Sequence, residues 1–384
     1  MINGNIVIIG LGITSKLTAL SLALNNRTVV ILGDEKPKKQ SSNLVTFLSS
    51  NSIKFLRKLD LDDIINKFSL IDEISCSKLE YFKKNQKFQI NFKDSNHDLG
   101  RVIPNKNLNE KLDLKIKKNK NISILRNINI QNCKFLKEEG LLLLENDEKI
   151  NTKLIIVTET DTNLISDNFK DNLIKKDLEQ TSLVLDVKSK TKNHAYQIFT
   201  QKGAIAYLPI NENLASVIWS LDKKSNELNY NKEEILKEIN KIFKNIVYCD
   251  EAINIQRYNL KFEYRKKTTV KSIVLIGDAA HTLHPIAGQG LNLSIKDILE
   301  LNKQIDRFSY LGYTLGNSSS LSEYENQRFS DGTFYSFSTI YLDRIFKSRN
   351  YLLDKVSSLG VKIIEKNKGV KDLIIKSATG QGSY

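Results

Sequence analysis

The chain has 384 residues, which at about 150 residues per domain predicts two or three domains. Hydrophobic residues make up 40% and charged residues 27% of the chain, with four prolines, so a disordered or fibrous protein is excluded. Lys and Arg number 58 against 44 Asp and Glu, a formal net charge of +14. Such a charge suits nucleic acid or an anionic membrane, and compositional drift towards lysine produces it as well. Charge alone does not choose between these interpretations.

Cysteine usage and hydropathy bear on the compartment. Cys76, Cys133 and Cys249 are far apart and odd in number, and no CxxC pair occurs, so neither a disulfide framework nor a zinc site is supported. No run approaches the roughly 18–20 apolar residues that a transmembrane helix needs. We therefore expect a cytoplasmic protein, either soluble or attached peripherally to the inner face of the cytoplasmic membrane.

The first elements of the chain predict a strand–helix–strand unit. The apolar run 5–9 is typical of a buried parallel strand, a helical pattern follows it, and 28–32 forms a second strand. The turn between the first strand and the helix reads GLGITS, close to the GxGxxG of dinucleotide-binding folds. This placement between strand and helix favours nucleotide binding.

Each residue of that turn has a physical reason. Gly10 allows the tight turn, and Gly12 lets the backbone approach a pyrophosphate at the helix N-terminus. Ser15 stands where a third glycine usually permits close packing of helix on strand. Asp34 is the candidate for a ribose-binding carboxylate, although Gly33 could occupy the same register.

The rest of the chain predicts two interleaved kinds of structure. Helices, loops and short strands continue an α/β domain to about residue 160, and four short strands with turns between them then form an antiparallel meander. A helix and a final apolar strand lead to a helical C-terminal part. In chain order these are helices and loops at 43–75, a helix at 104–118, strands at 122–129, 133–137, 141–145 and 153–157, the meander at 181–220, a helix at 235–243, a strand at 272–276, and helices beyond 321.

The most informative stretch is 273–292, where an apolar strand runs into GDAAHTLHPIAGQGLN. Glycines before a helix leave backbone N–H groups pointing outward, which suits an anionic group of a ligand. An ordinary connecting loop is the plainer interpretation, but this density of His, Pro, Gly and Asp argues against it. A zinc site at His281 and His284 lacks further ligands at suitable spacing, so we predict no metal.

This stretch resembles the second flavin-binding motif of the class A flavoprotein hydroxylases, and more narrowly that of the ubiquinone-biosynthesis hydroxylases, which act on polyprenylated phenols. The similarity covers essentially the whole chain and is strongest over 177–305. Further matching markers are 195–200, Gly203, Leu208-Pro209 and 217–219 in the meander, and Tyr324, Arg328, Phe346, Gly360, Lys371 and 378–380 near the C-terminus.

Three departures from the family pattern accompany this resemblance. The family's arginine is absent from 40–47, its Gly-Ala-Asp-Gly motif corresponds to Thr-Glu-Thr-Asp at 158–161, and Ser15 replaces the third glycine. The motif at the flavin-ring end is intact, whereas the adenine-diphosphate end has diverged. A paralogue with weak or no catalysis, acting as a lipid-binding or scaffolding component of a ubiquinone-biosynthesis complex, therefore remains the alternative function.

The resemblance implies FAD as cofactor, NAD(P)H as reductant and O2 as co-substrate. In the family a flavin C4a-hydroperoxide hydroxylates the ring of the phenol, and the protein supplies position, electrostatics and exclusion of water. Asp278 would accept a hydrogen bond from a ribityl hydroxyl. The backbone groups of Gly288, Gly290 and Leu291 would face the pyrimidine edge of the ring, and Pro285 would flank its reactive face. The implied catalytic residues are Pro285, Gly288 and Gly290. The implied FAD-binding residues are Gly10, Gly12, Ser15, Asp34, Gly277, Asp278, Pro285, Gly288, Gln289, Gly290, Leu291 and Asn292.

The implied fold is α/β (α+β overall): a Rossmann-like FAD-binding domain of the class A type with an inserted antiparallel-sheet substrate domain and C-terminal helices. The expected division assigns 1–75, 104–165 and 271–310 to the FAD-binding domain, 76–103 and 166–270 to the substrate domain, and 311–384 to the C-terminal helices.

The resemblance also implies a substrate cavity between the flavin and the meander, with Tyr196, Phe199, Tyr207 and Trp219 as candidate walls; core packing is the alternative for each. Mixed apolar and lysine residues at 359–376 fit a helix lying on anionic lipid, or a helix that closes the core. Other ubiquinone-biosynthesis proteins are candidate partners. Nucleic acid is not expected, because no nucleic-acid-binding module accompanies the charge.

Overall fold

The computed structural model describes residues 2–3, 5–34, 44–79, 89–93, 98–128, 130–136, 139–282 and 290–329. Its α-helices are α1 Ile13–Ala23, α2 Ser50–Lys58, α3 Asp62–Ile65, α4 Asn105–Lys118, α5 Asn163–Asn168, α6 Lys232–Ile242 and α7 Gly290–Tyr310. Residues 318–329 are also helical. Short 3-10 turns occur at Lys170–Asn172, Asn226–Asn229 and Gly277–Ala279.

The strands form four sheets. They are β1 Ile2–Asn3, β2 Ile6–Ile9, β3 Val29–Leu32, β4 Val45–Ser49, β5 Leu70–Ile71, β6 Glu73–Lys78, β7 Gln89–Lys93, β8 Gly100–Pro104, β9 Ile122–Leu125, β10 Ile130–Leu136, β11 Glu139–Leu144, β12 Lys149–Thr152, β13 Leu154–Val157, β14 Leu173–Lys188, β15 His194–Thr200, β16 Gly203–Asn211, β17 Leu214–Asp222, β18 Glu251–Arg265, β19 Thr269–Val270, β20 Ile273–Leu275 and β21 His281–Thr282.

The first large sheet is six-stranded, in the order β19-β20-β13-β2-β3-β9. All of its strands are parallel except β19, which is antiparallel to β20. β2, β3, β13 and β20 are buried along their whole length, because layers cover both faces of the sheet. The chain runs from β2 to β3 on one side of β2, and β13 and β20 lie on the other. The carboxyl ends of β2 and β13 therefore flank a topological switch point, where ligands of such sheets bind.

The second large sheet is eight-stranded, in the order β21-β18-β14-β17-β16-β15-β6-β7. It confirms the predicted antiparallel meander and the predicted fold class, although β15 and β6 run parallel. α6 covers one face of this sheet, where Ile235 and Phe243 pack with Leu185 and Val217. On the other face, apolar side chains of β14, β16 and β17 pack against the three-stranded sheet β4-β8-β5.

Several strands, β4 and β18 among them, were absent from the sequence-based prediction. β18 alternates buried and exposed residues, including Leu260 and Phe262, so its period of two is visible in the sequence in retrospect. β4 lies where we predicted helix and loop, and it is a strand because it pairs with β8, some fifty residues later. The eight-stranded sheet takes its strands from 73–93, 173–265 and 281–282. The division into domains at 76, 104, 166, 271 and 311 stays a proposal.

Candidate functional site

The glycine-rich turn after β2 is shaped by close contact with the end of β13. Gly10 has φ +117°, and a Cβ atom on it would lie 2.3 Å from Thr158 Oγ1, so only glycine fits there. Gly12 is the N-cap of α1, no side chain caps this helix end, and a Cβ on Gly12 would meet nothing within 4 Å. The first turn of α1 therefore presents its backbone N–H groups at the switch point, as an anionic ligand requires.

Ser15 serves packing. Its hydroxyl donates to Thr158 Oγ1 at 2.7 Å, and Thr158 Oγ1 donates to the Ile9 carbonyl at 2.9 Å. Ser15 is fully buried, so its side chain joins α1 to β13 and β2. This explains why serine replaces the third glycine: the short hydroxyl forms a hydrogen bond where close packing is needed. The predicted contact of Ser15 with the cofactor stays a prediction.

The turn after β20 meets the glycine-rich turn. Gly277 has φ +60°, and a Cβ on it would lie 2.9 Å from Thr14 Cγ2 and 3.1 Å from Ser294 Oγ. Gly277 is therefore wedged between the first turns of α1 and α7. Asp278 follows it and is exposed. The structure thus brings together two motifs that are more than 260 residues apart in the sequence.

A buried ion cluster holds this second turn in place. Asp297 on α7 accepts hydrogen bonds from Gly277 N at 2.9 Å, from His281 Nε2 at 2.7 Å and from Arg328 Nε at 2.8 Å. The side chain of Asp297 is 2% exposed, and those of His281 and Arg328 are 7% exposed. Burial by itself raises the pKa of Asp297, but attraction to His281 and Arg328 outweighs it and leaves the pKa below its ordinary value.

Arg265 supports the same turn from the eight-stranded sheet. Its Nε donates to the Ala279 carbonyl at 3.0 Å, and its Nη1 donates to the Phe169 carbonyl at 3.2 Å. Sequence reasoning did not single out Asp297 or Arg265. Arg328 was noted only as a marker of resemblance. No local pattern reveals such positioning residues, because their partners come from other elements.

The N-terminus of α7 also lies at this site. Gly290 begins the helix, and a Cβ on it would meet nothing within 4 Å. Leu291 is half-buried beside it. Asn292 was predicted to bind the cofactor, but its side chain faces the β4–α2 junction: Oδ1 accepts from Ser49 N at 2.9 Å, and Nδ2 donates to the Phe47 carbonyl at 2.7 Å. Pro285, Gly288 and Gln289 lie outside the described residues.

Asp34, the predicted ribose-binding carboxylate, lies at the exposed end of β3, and its role stays a prediction. Its Oδ1 accepts a hydrogen bond from Asn127 N at 2.8 Å, on the exposed surface beyond β9. Position 33 is the one that faces the glycine-rich turn, because a Cβ on Gly33 would lie 3.0 Å from Leu11 N. A carboxylate nevertheless reaches that amide: Leu11 N donates to Glu159 Oε1 at 2.9 Å.

Three of the four aromatic pocket candidates are core residues. Tyr207 and Trp219 belong to the closed cluster beneath α6, and Tyr196 packs against it. The ring centroids of Tyr207 and Phe243 are 5.9 Å apart, and the Tyr207 hydroxyl donates a hydrogen bond to Ser189 Oγ at 2.9 Å. Burial raises the pKa of Tyr207 to about 12. These three side chains lie in or against the cluster beneath α6, which favours the core-packing alternative; their role as cavity walls stays a prediction. Phe199 alternates with Ile198, which places it on the opposite face.

The described residues fit FAD at the switch point. Two helix N-termini, those of α1 and α7, meet through Gly277, and each carries a glycine whose Cβ position is within 4 Å of no atom of the described residues. N–H groups at such ends suit a diphosphate at α1 and the electron-rich edge of a flavin ring at α7. Within the described part of the chain, no group of three or more His, Cys, Asp or Glu could hold a metal ion, and no helix is long and apolar enough to cross a membrane.

Replacing Asp278 by alanine is expected to weaken FAD binding. A hydrogen bond to a charged group contributes about 1.5–3 kcal/mol, so the dissociation constant should rise roughly 10- to 150-fold. Titration of apoprotein with FAD, followed by flavin fluorescence, measures this change. Asp167→Asn, on exposed α5, is the control. Equal affinity of wild type and Asp278→Ala would contradict the placement.

Comparison with known proteins agrees with this geometry. A family model described as an FAD binding domain matches residues 174–329. The mitochondrial ubiquinone biosynthesis monooxygenase COQ6 of Dictyostelium discoideum is 21% identical over 451 residues, covering 98% of this chain and 91% of its own. The ubiquinone hydroxylase UbiL of Rhodospirillum rubrum is 27% identical over 206 residues, covering 52% of this chain and 48% of its own.

A solved structure shows the same fold. The crystal structure of p-nitrophenol 4-monooxygenase PnpA from Pseudomonas putida DLL-E4 matches with a TM-score of 0.75 at 14% identity, and the match covers 99% of each chain. The two chains therefore share their overall fold at low sequence identity.

Proposed function

We propose that this chain, an FAD-dependent monooxygenase of the ubiquinone-biosynthesis hydroxylase family, hydroxylates the aromatic ring of a polyprenylated phenol, using NAD(P)H and O2. The observation that carries the proposal is the meeting of the two glycine turns at the switch point, where Gly277 packs against Thr14 and Ser294. A dinucleotide can span such a site from the end of α1 to the end of α7.

FAD, when bound, supplies the redox chemistry: it takes electrons from the nicotinamide and activates oxygen for transfer to the ring. The chain's own groups position it. The N–H groups in the first turn of α1 bind the diphosphate, and Asp278 accepts a hydrogen bond from a ribityl hydroxyl. Gly290 and Leu291 present their N–H groups towards the pyrimidine edge of the flavin ring. Such preorganised donors act without reorganisation during the reaction, and each can contribute about 2.7–4 kcal/mol.

The substrate belongs on the face of the eight-stranded sheet opposite α6. Val184, Leu208 and Ile218 lie on that face and pack against the three-stranded sheet, so the layer beside the proposed substrate position is apolar, which suits a polyprenyl chain. Among the four predicted aromatic walls, Phe199 alone keeps this role in the proposal. Contact of the C-terminal stretch with anionic lipid, and with it attachment to the inner face of the membrane, stays a prediction because residues 359–376 lie outside the described residues.

The scaffold alternative also has an observation in its favour. No carboxylate side chain stands at Gly33, and Glu159 already occupies the Leu11 amide. A carboxylate close to a bound diphosphate would repel it. This alternative predicts a colourless protein that FAD cannot reconstitute.

Complementation tests the proposed function. The gene should restore ubiquinone in one of the bacterial strains that lack a single ubiquinone hydroxylase, and the purified protein should absorb at about 370 and 450 nm, as bound flavin does. The matched control is Asp278→Ala, which should be soluble and restore less ubiquinone. Soluble protein that is colourless after incubation with FAD, and that rescues no strain, would reject catalysis and favour the scaffold.

A further inference from the structure

The end of β3 presents no carboxylate to the glycine-rich turn. In dinucleotide-binding sheets an acidic residue at the end of the second strand binds the hydroxyls of the adenosine ribose. Here the position facing the turn is Gly33, which has no side chain, and the neighbouring Asp34 is turned towards Asn127. Among the described residues at the end of β3, no acidic side chain therefore faces the glycine-rich turn.

Glu159 brings a carboxylate to the same place from the other neighbouring strand. It follows β13, and its Oε1 accepts a hydrogen bond from Leu11 N at 2.9 Å. A side chain at position 33 would begin 3.0 Å from that same nitrogen. The Glu159 carboxylate thus reaches the same N–H group that a side chain at position 33 would approach, although β13 and β3 lie on opposite sides of β2.

Gly10 makes this approach feasible. A Cβ on Gly10 would lie 2.6 Å from Glu159 Cγ and 3.1 Å from Cδ, so any other residue would push the glutamate side chain off the turn. Thr158, the residue before it, is fixed by hydrogen bonds of its backbone N–H and its hydroxyl to the Ile9 carbonyl. The path of Glu159 across the turn is therefore built into the packing of β2 against β13.

A carboxylate held by one N–H group can accept further hydrogen bonds, since its two oxygens have about four lone-pair directions. A vicinal diol, with two O–H donors and no charge, complements such a group better than a diphosphate does. Neighbouring N–H groups of α1 remain for the phosphates.

We propose that Glu159 is the ribose-binding carboxylate of this chain: it accepts hydrogen bonds from the hydroxyls of the adenosine ribose of FAD, in place of an acidic residue at the end of β3. The inference rests on the proposed function, because it requires that the chain binds FAD. On this proposal the divergences of the sequence at 158–161 and at Gly33 are linked: Glu159, within the first of them, compensates for the missing carboxylate at Gly33.

The test is competition between nucleotides for the FAD site of the full chain. FAD binding is followed by flavin fluorescence, and ADP or 2′,3′-dideoxy-ADP is added as competitor. Wild type should bind ADP about 10-fold or more tightly than the dideoxy nucleotide, since loss of hydrogen bonds to a charged acceptor has effects of this size. Glu159→Ala should bind the two equally, Glu159→Gln should retain a smaller preference, and Glu212→Gln, in an exposed turn of the other sheet, should behave as wild type.

Each other outcome has a definite meaning. Equal competition by the two nucleotides in wild type, or none by either, overturns the inference while FAD binding stands. Tighter ADP binding by Glu159→Ala overturns it too, because the carboxylate would then repel the diphosphate. Loss of the preference in Asp34→Asn but not in Glu159→Ala would assign the role to Asp34. Failure of wild type to bind FAD would instead reject the proposed function. Thermal unfolding of each variant establishes that it is folded.

Discussion

Replacing Asp297 by asparagine is expected to lower the free energy of unfolding by about 3–5 kcal/mol, because the change leaves His281 and Arg328 buried without their anion. The Gly277 turn loses its anchor at the same time, so FAD affinity should fall as well. Urea unfolding of apoprotein measures the first effect, and FAD titration measures the second. The matched control is Asp306→Asn, since Asp306 pairs with Arg27 and its side chain is 47% exposed. Exposed pairs contribute about 0–1 kcal/mol.

The same residue predicts a dependence on pH. The pKa of Asp297 is lower in the folded chain than its ordinary value, so its contribution to stability is complete above the pKa of the unfolded chain and is lost as pH falls through the lower, folded value. Wild type should therefore lose stability on acidification below about pH 4 more steeply than Asp297→Asn does. Equal costs of Asp297→Asn and Asp306→Asn, or parallel pH profiles of wild type and Asp297→Asn, would contradict the role of the cluster.

Replacing Gly12 by valine is expected to weaken FAD binding, whereas replacing Gly10 by valine is expected to prevent folding. Gly12→Val should fold, because the backbone of residue 12 has φ −76° and a Cβ there meets no atom. It should nevertheless weaken FAD binding on the order of 100-fold, or about 2.7 kcal/mol, since the side chain would fill the space that the diphosphate needs. Gly10→Val should instead unfold or aggregate, because of its positive φ and its contact with Thr158.

Circular dichroism with thermal melting and FAD titration separates these outcomes. Gly290→Val, at the start of α7, should behave like Gly12→Val, because a Cβ at Gly290 also enters free space. A Gly12→Val protein that binds FAD as wild type does would show that the diphosphate lies elsewhere. A stable, folded Gly10→Val would show that the turn can adopt another backbone conformation.

The sequence by itself determined those parts of the protein whose signal is local. The apolar runs that became β2, β3, β13 and β20 are continuous because each strand is buried on both faces, and such runs are readable without any partner. The glycine turns also give a local signal, because Gly10 and Gly277 have positive φ angles that few other residues adopt. These signals predicted the strand–helix–strand unit and nucleotide binding, and the resemblance of 273–292 to a flavin-binding motif implied the fold class and FAD.

Only the tertiary structure decided which groups act together. Asp297, His281 and Arg328 lie on three elements, and Glu159 meets Leu11 across 148 positions of sequence, so no spacing could reveal either contact. The sequence left the direction of the aromatic side chains open for a related reason. Apolar layers cover both faces of the meander. The period of two therefore shows that neighbours such as Ile198 and Phe199 lie on opposite faces of the sheet, but it does not show which face is nearer to the proposed FAD site. The position of α6 decides which face is covered by a helix. α6 packs on a single face of the sheet, where its apolar stripe of Ile235, Ile239 and Ile242 is buried.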